Sequence, residues 1–346
     1  MVKHLYLHIP YCNSKCDYCD FYSVPCNGTV REDYVAAVVD EITERYNGEP
    51  LETVFFGGGT PSLLTGQQVN NILSKLKLTK QCEVSIECNP ETITAQKMKE
   101  FVSAGINRLS VGVQSFEDLK LIDIGRERSC NVPEKLSIAG KYFSNIGIDL
   151  MYSLPGQTKE DIIKEISNIT ENIKHVSYYS LTIEEDTPLA NKYDEHPIDD
   201  DNQSKLAEEV VSKLRDKEFA RYEISNYSKS EYECKHNQAY WSYQDYLGVG
   251  AGAVSTIKGI RIENIKNIEE YLSGKRVVNT DNLSEKEQKM EKIMMGLRTT
   301  TGVAYEKLFD DVLRKYPELI IMGKAFVHLT NKGFLVYNSI LEELDL

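Results

Sequence analysis

The chain has 346 residues, of which 41% are hydrophobic and 27% are charged. A chain of this length and composition can bury one large core and a smaller second one, and it is not of the disordered class. The formal net charge of −13, without a basic block, argues against a nucleic-acid partner. Because no apolar run approaches the roughly 20 residues of a membrane span, and no secretory leader is recognisable, we expect a cytoplasmic protein.

Strand-like and helix-like segments alternate along the first two-thirds of the chain. The predicted strands lie at 5–9, 53–56, 83–87, 108–113, 148–153 and 176–183, and the predicted helices at 32–46, 66–76, 95–104, 133–146, 159–173 and 202–217. Six β-then-α units of this kind predict an α/β fold in which a parallel sheet forms a partial (βα)6 barrel. In such barrels the chemistry collects at the carboxyl ends of the strands.

The pattern changes after about residue 221. Residues 222–246 are rich in Tyr, Asn and Ser, and a Gly-rich run follows at 248–253. Helical patterns at 285–297 and 305–315 then precede the polar residues 331–333, which separate two short apolar runs at 326–329 and 334–337. We therefore predict a barrel over 1–235, a connecting segment over 236–280, and a smaller, mostly helical, winged-helix-like domain over 281–346.

Three cysteines lie close together directly after the first predicted strand, at Cys12, Cys16 and Cys19. The spacing permits a [4Fe–4S] cluster held by three thiolates, with one iron open to a small chelating ligand. It also permits a zinc site with a distant fourth ligand, or structural thiols. The other cysteines are dispersed and are predicted to be packing residues: Cys26, Cys82, Cys88, Cys130 and Cys234.

Glycines and polar residues follow the other predicted strands. The run 57–60, Gly-Gly-Gly-Thr, lets backbone approach a ligand closely, although a tight turn would need glycine as well. Glu87 and Gln114 lie at the ends of predicted strands, and Arg126 follows further along the chain; each of the three could equally be an ordinary solvated residue. Asp149 lies inside an apolar strand, so its carboxylate requires a partner. The cysteine loop, the glycine run, Glu87 and Gln114 all fall at the ends of predicted strands, and this agreement in position supports a single site.

The cysteine array followed by Gly-Gly-Thr-Pro resembles the radical S-adenosylmethionine (SAM) superfamily. Six longer motifs extend the resemblance to the oxygen-independent coproporphyrinogen III oxidase family, in that family's order and over about residues 4–260. These motifs lie at 6–12 (Tyr-x-His-Ile-Pro-Tyr-Cys), 57–62 (Gly-Gly-Gly-Thr-Pro-Ser), 85–91 (Ser-Ile-Glu-x-Asn-Pro-Glu), 112–116 (Gly-Val-Gln-Ser-Phe), 148–157 (Ile-Asp-Leu-Met-Tyr-x-Leu-Pro-Gly-Gln) and 222–227 (Tyr-Glu-Ile-Ser-Asn-Tyr).

The resemblance implies a cofactor set and a chemistry. It implies a [4Fe–4S] cluster on the three clustered cysteines, SAM as a second cofactor, and a reductant such as flavodoxin or ferredoxin. The reduced cluster would cleave SAM to a 5′-deoxyadenosyl radical. The positions matching SAM-binding residues are Tyr6, Gly58, Gly59, Thr60, Glu87, Gln114, Arg126, Asp149 and, less securely, Val254. No residue is assigned a catalytic role of its own.

Two features favour one branch of this family. The oxidases carry a further cysteine where this chain has Phe21. Residues 236–241 match the His-Asn-x-x-Tyr-Trp segment of the haem chaperone branch, which makes His236 a candidate haem ligand unless it is a satisfied structural histidine. Many relatives are expected to carry histidine at the Val254 position, so valine there argues against haem ligation at that point.

The resemblance thus predicts a haem chaperone that binds haem and transfers it to an acceptor haem protein, in the membrane or outside it. The alternative is an oxidase that decarboxylates two propionates of coproporphyrinogen III. An RNA-modifying radical enzyme would require added cysteines or a basic domain, neither of which the sequence contains.

Overall fold

The computed structural model describes residues 1–126, 128–193 and 200–344. The strands are β1 (His4–Ile9), β2 (Tyr11–Cys12), β3 (Val24–Pro25), β4 (Leu51–Gly58), β5 (Leu78–Cys88), β6 (Arg108–Gln114), β7 (Ile146–Tyr152), β8 (Ile173–Ser180), β9 (Ala220–Arg221), β10 (Asn226–Ser228), β11 (Tyr246–Val249), β12 (Val254–Ile257), β13 (Ile260–Asn264), β14 (Val277–Asn282), β15 (Val303–Ala304), β16 (Ile320–Met322) and β17 (Phe326–Leu329).

The helices follow most of the long strands. They are α1 (Glu32–Arg45), α2 (Gly66–Leu73), α3 (Ala95–Ala104), α4 (Asp118–Asp123), α5 (Val132–Ala139), α6 (Lys159–Ser167), α7 (Pro188–Tyr193), α8 (Asp200–Asp216), α9 (Lys235–Trp241), α10 (Ile268–Leu272), α11 (Glu285–Leu297), α12 (Asp310–Lys315), α13 (Asn331–Leu335) and α14 (Tyr337–Glu342). Local signals set several of their ends: Thr65 and Gln68 form a capping box at α2, and Gly105, with φ +106°, ends α3.

One large open sheet organises the first 282 residues. Its strand order is β14-β13-β12-β11-β1-β4-β5-β6-β7-β8-β10-β9, and every pair from β11 to β8 is parallel. The six predicted strands are all present in this parallel part, which confirms the partial barrel. The segment predicted to be a connection contributes β11 to the same sheet, and antiparallel strands β12–β14 continue it to the edge.

The predicted helices are correct in place and too long at some ends. The helix predicted over 133–146 ends at Ala139, and that predicted over 159–173 ends at Ser167. In both cases a short turn brings the chain back to the next strand, which begins at Ile146 or Ile173. The apolar residues of these turns, Phe143 and Ile169, pack in the core and so continued the apolar pattern past the helix end.

The C-terminal part has a core of its own, built around residues such as Phe309, Val327 and Phe334. The helix predicted over 285–297 is present as α11. A three-stranded antiparallel sheet, β15-β17-β16, packs with the helices of this mostly helical part. The apolar run 334–337 falls in α13 and α14. Among the described residues, no helix has both the length and the apolar character of a membrane span.

Candidate functional site

The cysteine loop lies at the carboxyl end of β1. Cys12 ends β2, and Cys16 and Cys19 follow in a turn closed by a 3.2 Å hydrogen bond from the Cys19 amide to the Cys16 carbonyl. All three thiols are partly exposed. Asp17, between two of the cysteines, accepts a 2.9 Å hydrogen bond from the Leu189 amide through its carbonyl and pairs through its carboxylate with Lys192. Helix α7 therefore anchors the loop from outside.

The surroundings of the thiols favour a positively charged centre. Burial raises the pKa of the Cys12 thiol and of the Cys19 thiol, and the neighbouring Cys16 raises both further. Three adjacent thiolates therefore require a cation that offsets their mutual repulsion, which iron supplies when bound. Among the described residues, no three His, Cys, Asp or Glu side chains lie close enough together to bind one metal ion. The donor set fits a cluster in which each thiolate binds a different iron.

The glycine loop packs directly on the cysteine loop. The amides of Gly59 and Thr60 donate to the carbonyls of Ile9 and Tyr11, at 2.9 and 2.7 Å. A Cβ at position 59 would lie 2.7 Å from the Tyr11 carbonyl oxygen and 3.0 Å from the Cys12 sulfur. Only glycine fits this close approach, and the Thr60 hydroxyl lies 3.4 Å from that sulfur. The two loops thus form one continuous surface.

Two carboxylates lie behind the glycine loop on alternate strands. Glu87, one residue before the end of β5, accepts a 3.1 Å hydrogen bond from the Gly58 amide. Asp149 lies on β7, and the Ser110 hydroxyl of the intervening strand is 3.2 Å from both of its oxygens. Burial, with the charge of Asp149, raises the pKa of Glu87 to about 8, and burial raises the pKa of Asp149 as well. Such a pair favours a cationic ligand.

Gln114 and Arg126 lie at the carboxyl end of β6. Gln114 has φ +57°, and its buried side-chain oxygen has no hydrogen-bond partner in the part of the chain that is described. Arg126 donates to the Gly112 carbonyl at 2.7 Å and to the Tyr18 hydroxyl at 3.1 Å. Arg126 therefore ties the cysteine loop to the sheet, while the amide of Gln114 is left available to a ligand.

Tyr6 and Val254 lie on the other side of the glycine loop. The Tyr6 hydroxyl is 3.1 Å from Nδ1 of His8, whose Nε2 is 2.9 Å from the Tyr22 carbonyl oxygen. Gly248 of β11 pairs with Tyr6, and a Cβ there would lie 2.1 Å from the Val254 carbonyl oxygen. Val254 begins β12, which pairs with β11, so it lies two strands away from Tyr6.

His236 lies at the opposite end of the sheet from the cysteines, in α9. Its Nδ1 is 2.7 Å from the Thr53 hydroxyl and its Nε2 is 2.9 Å from the Tyr240 hydroxyl. The ring is 1% exposed, and burial lowers the pKa of His236 to about 3. The carboxylate of buried Glu83 accepts from the His236 amide at 3.3 Å. Both ring nitrogens are therefore engaged in this arrangement, and haem ligation by His236 stays a prediction.

Sequence reasoning missed three residues, two beside the cysteine and glycine loops and one beside His236. His8 supports Tyr6, and its ring lies 2.9 Å from where a Cβ of Gly58 would be. The amide of Cys26 donates to the Cys12 carbonyl at 2.8 Å, which places a fourth thiol beside the loop. Glu83 binds the start of α9. Only His8 carried a signal, since it lies within the motif at 6–12.

An open parallel sheet with a three-cysteine loop and an adjoining glycine loop at its carboxyl edge defines a radical SAM protein. The model of the Radical SAM superfamily matches residues 6–168. The heme chaperone HemW of Bacillus subtilis (strain 168) is 34% identical over 371 residues, which cover 98% of each chain. HemW of Lactococcus lactis is 32% identical, and the match covers 98% of this chain and 96% of that protein. HemW of Escherichia coli (strain K12) is also 32% identical, and the match covers 98% of this chain and 97% of that protein. The chain belongs to the haem chaperone branch of the radical SAM, coproporphyrinogen III oxidase-like family.

The fold also matches a solved structure of that family. The structure of the Escherichia coli coproporphyrinogen III oxidase HemN, described as a radical SAM enzyme, superposes with a TM-score of 0.82 at 21% identity. The match covers 99% of this chain and 89% of that one. Membership of the family implies a [4Fe–4S] cluster and SAM as cofactors.

Proposed function

We propose that this chain binds haem and transfers it to an acceptor haem protein. The observation that carries the proposal is the similarity over the whole chain to proteins named heme chaperone HemW, at 32–34% identity. Phe21, which is 63% exposed, stands where the oxidases have their additional cysteine, and so supports the chaperone over the oxidase.

The cluster is proposed to bind to Cys12, Cys16 and Cys19, and SAM to the surface formed by the glycine loop, the carboxylates and the end of β6. The proposed SAM residues are Tyr6, Gly58, Gly59, Thr60, Glu87, Gln114, Arg126, Asp149 and Val254. When bound and reduced, the cluster supplies the electron that cleaves SAM. The chain's own groups bind and orient the ligand: Glu87 and Asp149 favour its positive charge, and Arg126 holds the cysteine loop against the sheet.

A reductant of the flavodoxin or ferredoxin kind is proposed to reduce the cluster.

His236 is proposed to contribute to haem binding, and direct ligation requires its ring to leave Thr53 or Tyr240 first. Whether SAM is consumed during transfer is a separate question that the same preparation answers, since consumption releases methionine and 5′-deoxyadenosine.

The test is made on anaerobically reconstituted full-length protein. Incubated with coproporphyrinogen III, SAM and a strong reductant, the protein is expected to release no protoporphyrinogen. Incubated with haem and then with an excess of an apo-haem protein, it is expected to give up its haem to that acceptor. Formation of protoporphyrinogen at a catalytic rate would overturn the chaperone proposal in favour of the oxidase.

A further inference from the structure

The backbone turns sharply at Gln114, where β6 ends. Between Gly112 and Gln114, β6 has one residue more than its neighbour β7, which makes a β-bulge. Gln114 has φ +57°, and the Ser115 amide donates to the Val113 carbonyl at 2.8 Å, which closes a γ-turn centred on Gln114. A γ-turn with positive φ at its centre is rare and strained for a residue with a side chain. Such a turn persists only where neighbouring groups hold it.

Glu165 of α6 holds the amide side of this turn. Glu165 is 2% exposed, and its two carboxylate oxygens accept from the Phe116 amide at 3.1 and 2.9 Å. One of these oxygens also accepts from the Ser115 hydroxyl. A buried carboxylate is stable only when donors satisfy it, and these donors belong to the two residues that follow Gln114. The carboxylate therefore fixes the chain directly after the turn to helix α6.

Arg128 holds the carbonyl side of the same turn. Its guanidinium donates to the Ser115 carbonyl at 2.7 Å and to the Val113 carbonyl at 3.4 Å. It also pairs with Asp118 at 2.6 Å, and the Arg128 side chain is only 6% exposed. Because bonds reach the turn from both sides, the backbone at Gln114 has little freedom to relax.

The turn determines where the Gln114 side chain lies. The amide nitrogen is 3.2 Å from where a Cβ of Gly112 would be, and Gly112 pairs with Asp149 on the next strand. The amide oxygen of Gln114 is buried and has no hydrogen-bond partner among the described residues. The side chain therefore lies beside the strand of Asp149 with an acceptor that a ligand can use.

We infer that Glu165 is a positioning residue for SAM binding, because its carboxylate holds the turn that presents the Gln114 amide to the SAM surface. The inference rests on the SAM site proposed above and adds to it a residue from a helix behind the sheet edge. If the turn relaxed to negative φ, the Gln114 amide would leave its place against Gly112. The effect of Glu165 on SAM therefore passes through Gln114.

The experiment titrates SAM calorimetrically into anaerobically reconstituted, full-length protein. Glu165→Gln keeps the size of the side chain but replaces one acceptor oxygen by a donor, so it is expected to weaken SAM binding about tenfold. Gln114→Ala removes the amide and is also expected to weaken binding about tenfold. The double variant is expected to bind SAM as Gln114→Ala does, because the two residues act through one contact.

Two variants of the same helix are the controls. Glu160→Gln makes the same chemical change at an exposed position of α6, and Ile162→Val removes a buried methyl group without altering the bonds to the turn. Both are expected to bind SAM as the wild type does, although thermal unfolding should show Ile162→Val to be less stable. Ser115→Ala removes only the hydroxyl donor and is expected to weaken SAM binding less than Glu165→Gln. It repeats the test if Glu165→Gln does not fold.

The outcomes separate the inference from the SAM site itself. If Gln114→Ala weakens SAM binding while Glu165→Gln and Ser115→Ala bind as the wild type does, the inference is wrong and the SAM site stands. Full additivity in the double variant, or wild-type affinity in Gln114→Ala, would also overturn the inference, because Glu165 would then not act through Gln114. An equal loss in Ile162→Val would overturn it as an effect of general stability. If the reconstituted wild type binds no SAM, the proposed SAM site fails and the inference fails with it.

Discussion

The Gly58 amide donates a 3.1 Å hydrogen bond to Oε2 of Glu87, joining the glycine loop to the end of the neighbouring strand. This bond lowers the pKa of Glu87, but burial and the charge of Asp149 outweigh it and leave the pKa at about 8. Near neutral pH the ligand-free site therefore holds a protonated Glu87, and a cationic ligand must displace that proton.

SAM binding is accordingly predicted to strengthen with rising pH. If only the ionised carboxylate binds the cationic ligand, affinity falls by up to about tenfold for each pH unit below the pKa of Glu87. Calorimetric titration of SAM between pH 6.5 and 8.5 measures this. Glu87→Gln is expected to bind weakly with a flat pH profile, and parallel profiles for variant and wild type would exclude Glu87 as the titrating group.

The same carboxyl also affects folding. Because its pKa is about 8 in the folded protein and 4.5 in the unfolded chain, the folded state holds the proton more tightly. The contribution of Glu87 to the free energy of unfolding is therefore complete below pH 4.5 and is lost as the pH rises towards 8. Thermal unfolding without ligand is expected to show Glu87→Gln gaining stability relative to wild type between pH 6 and 8.5. A constant difference across that range would contradict the raised pKa.

The cluster assignment predicts unequal effects of single cysteine substitutions. Serine at position 12, 16 or 19 is expected to abolish the iron–sulfur absorbance after anaerobic reconstitution, because each thiolate binds a different iron. Cys130→Ser, which alters a cysteine outside the loop, is the control and is expected to retain it. Cys26→Ser is expected to retain it too, although Cys26 adjoins Cys12. Loss of the cluster in Cys26→Ser alone would make Cys26 a ligand.

Arg126 is predicted to couple the cysteine loop to SAM binding. Lysine there cannot reach the Gly112 carbonyl and the Tyr18 hydroxyl in the same fixed geometry, so Arg126→Lys should lower SAM affinity, by roughly 1–3 kcal/mol. Tyr18→Phe should lower SAM affinity less, since it removes only one of the two acceptors of Arg126. In the double variant the two effects should not add. Tyr142→Phe, at an exposed position, serves as the control, and strict additivity would show that the contact carries no coupling.

His236 is predicted to stabilise the fold as well as to influence haem. Alanine leaves the Thr53 and Tyr240 hydroxyls without their partner and opens a cavity, which should cost about 2–4 kcal/mol of unfolding free energy. Denaturant unfolding measures this, with His328→Ala, a half-buried histidine in the C-terminal part, as the control. Full stability of His236→Ala together with a changed Soret spectrum would indicate direct ligation instead.

The parallel part of the sheet was predictable because its strands are apolar and each is followed by a helical pattern. β11 was not, since Tyr246–Val249 is four residues long and its place beside β1 depends on a contact across the whole barrel. The helix ends after Ala139 and Ser167 were misplaced because Phe143 and Ile169 continue the apolar pattern from within turns. Periodicity alone does not separate such turns from a last helical turn.

The residues of the candidate site were predicted from motifs and from their positions relative to the strands, and the structure shows their hydrogen-bond partners. The bond between Gly58 and Glu87, and the two bonds of Arg126, join side chains to distant backbone and leave no local pattern in the sequence. The same holds for His236, whose environment depends on Thr53, 183 residues away.

The most direct test of the account is a haem titration of the anaerobically reconstituted, full-length wild-type protein, followed by its Soret band. The account predicts a saturable band with one haem bound per chain. A band that rises without saturation, as free haem gives, would contradict it.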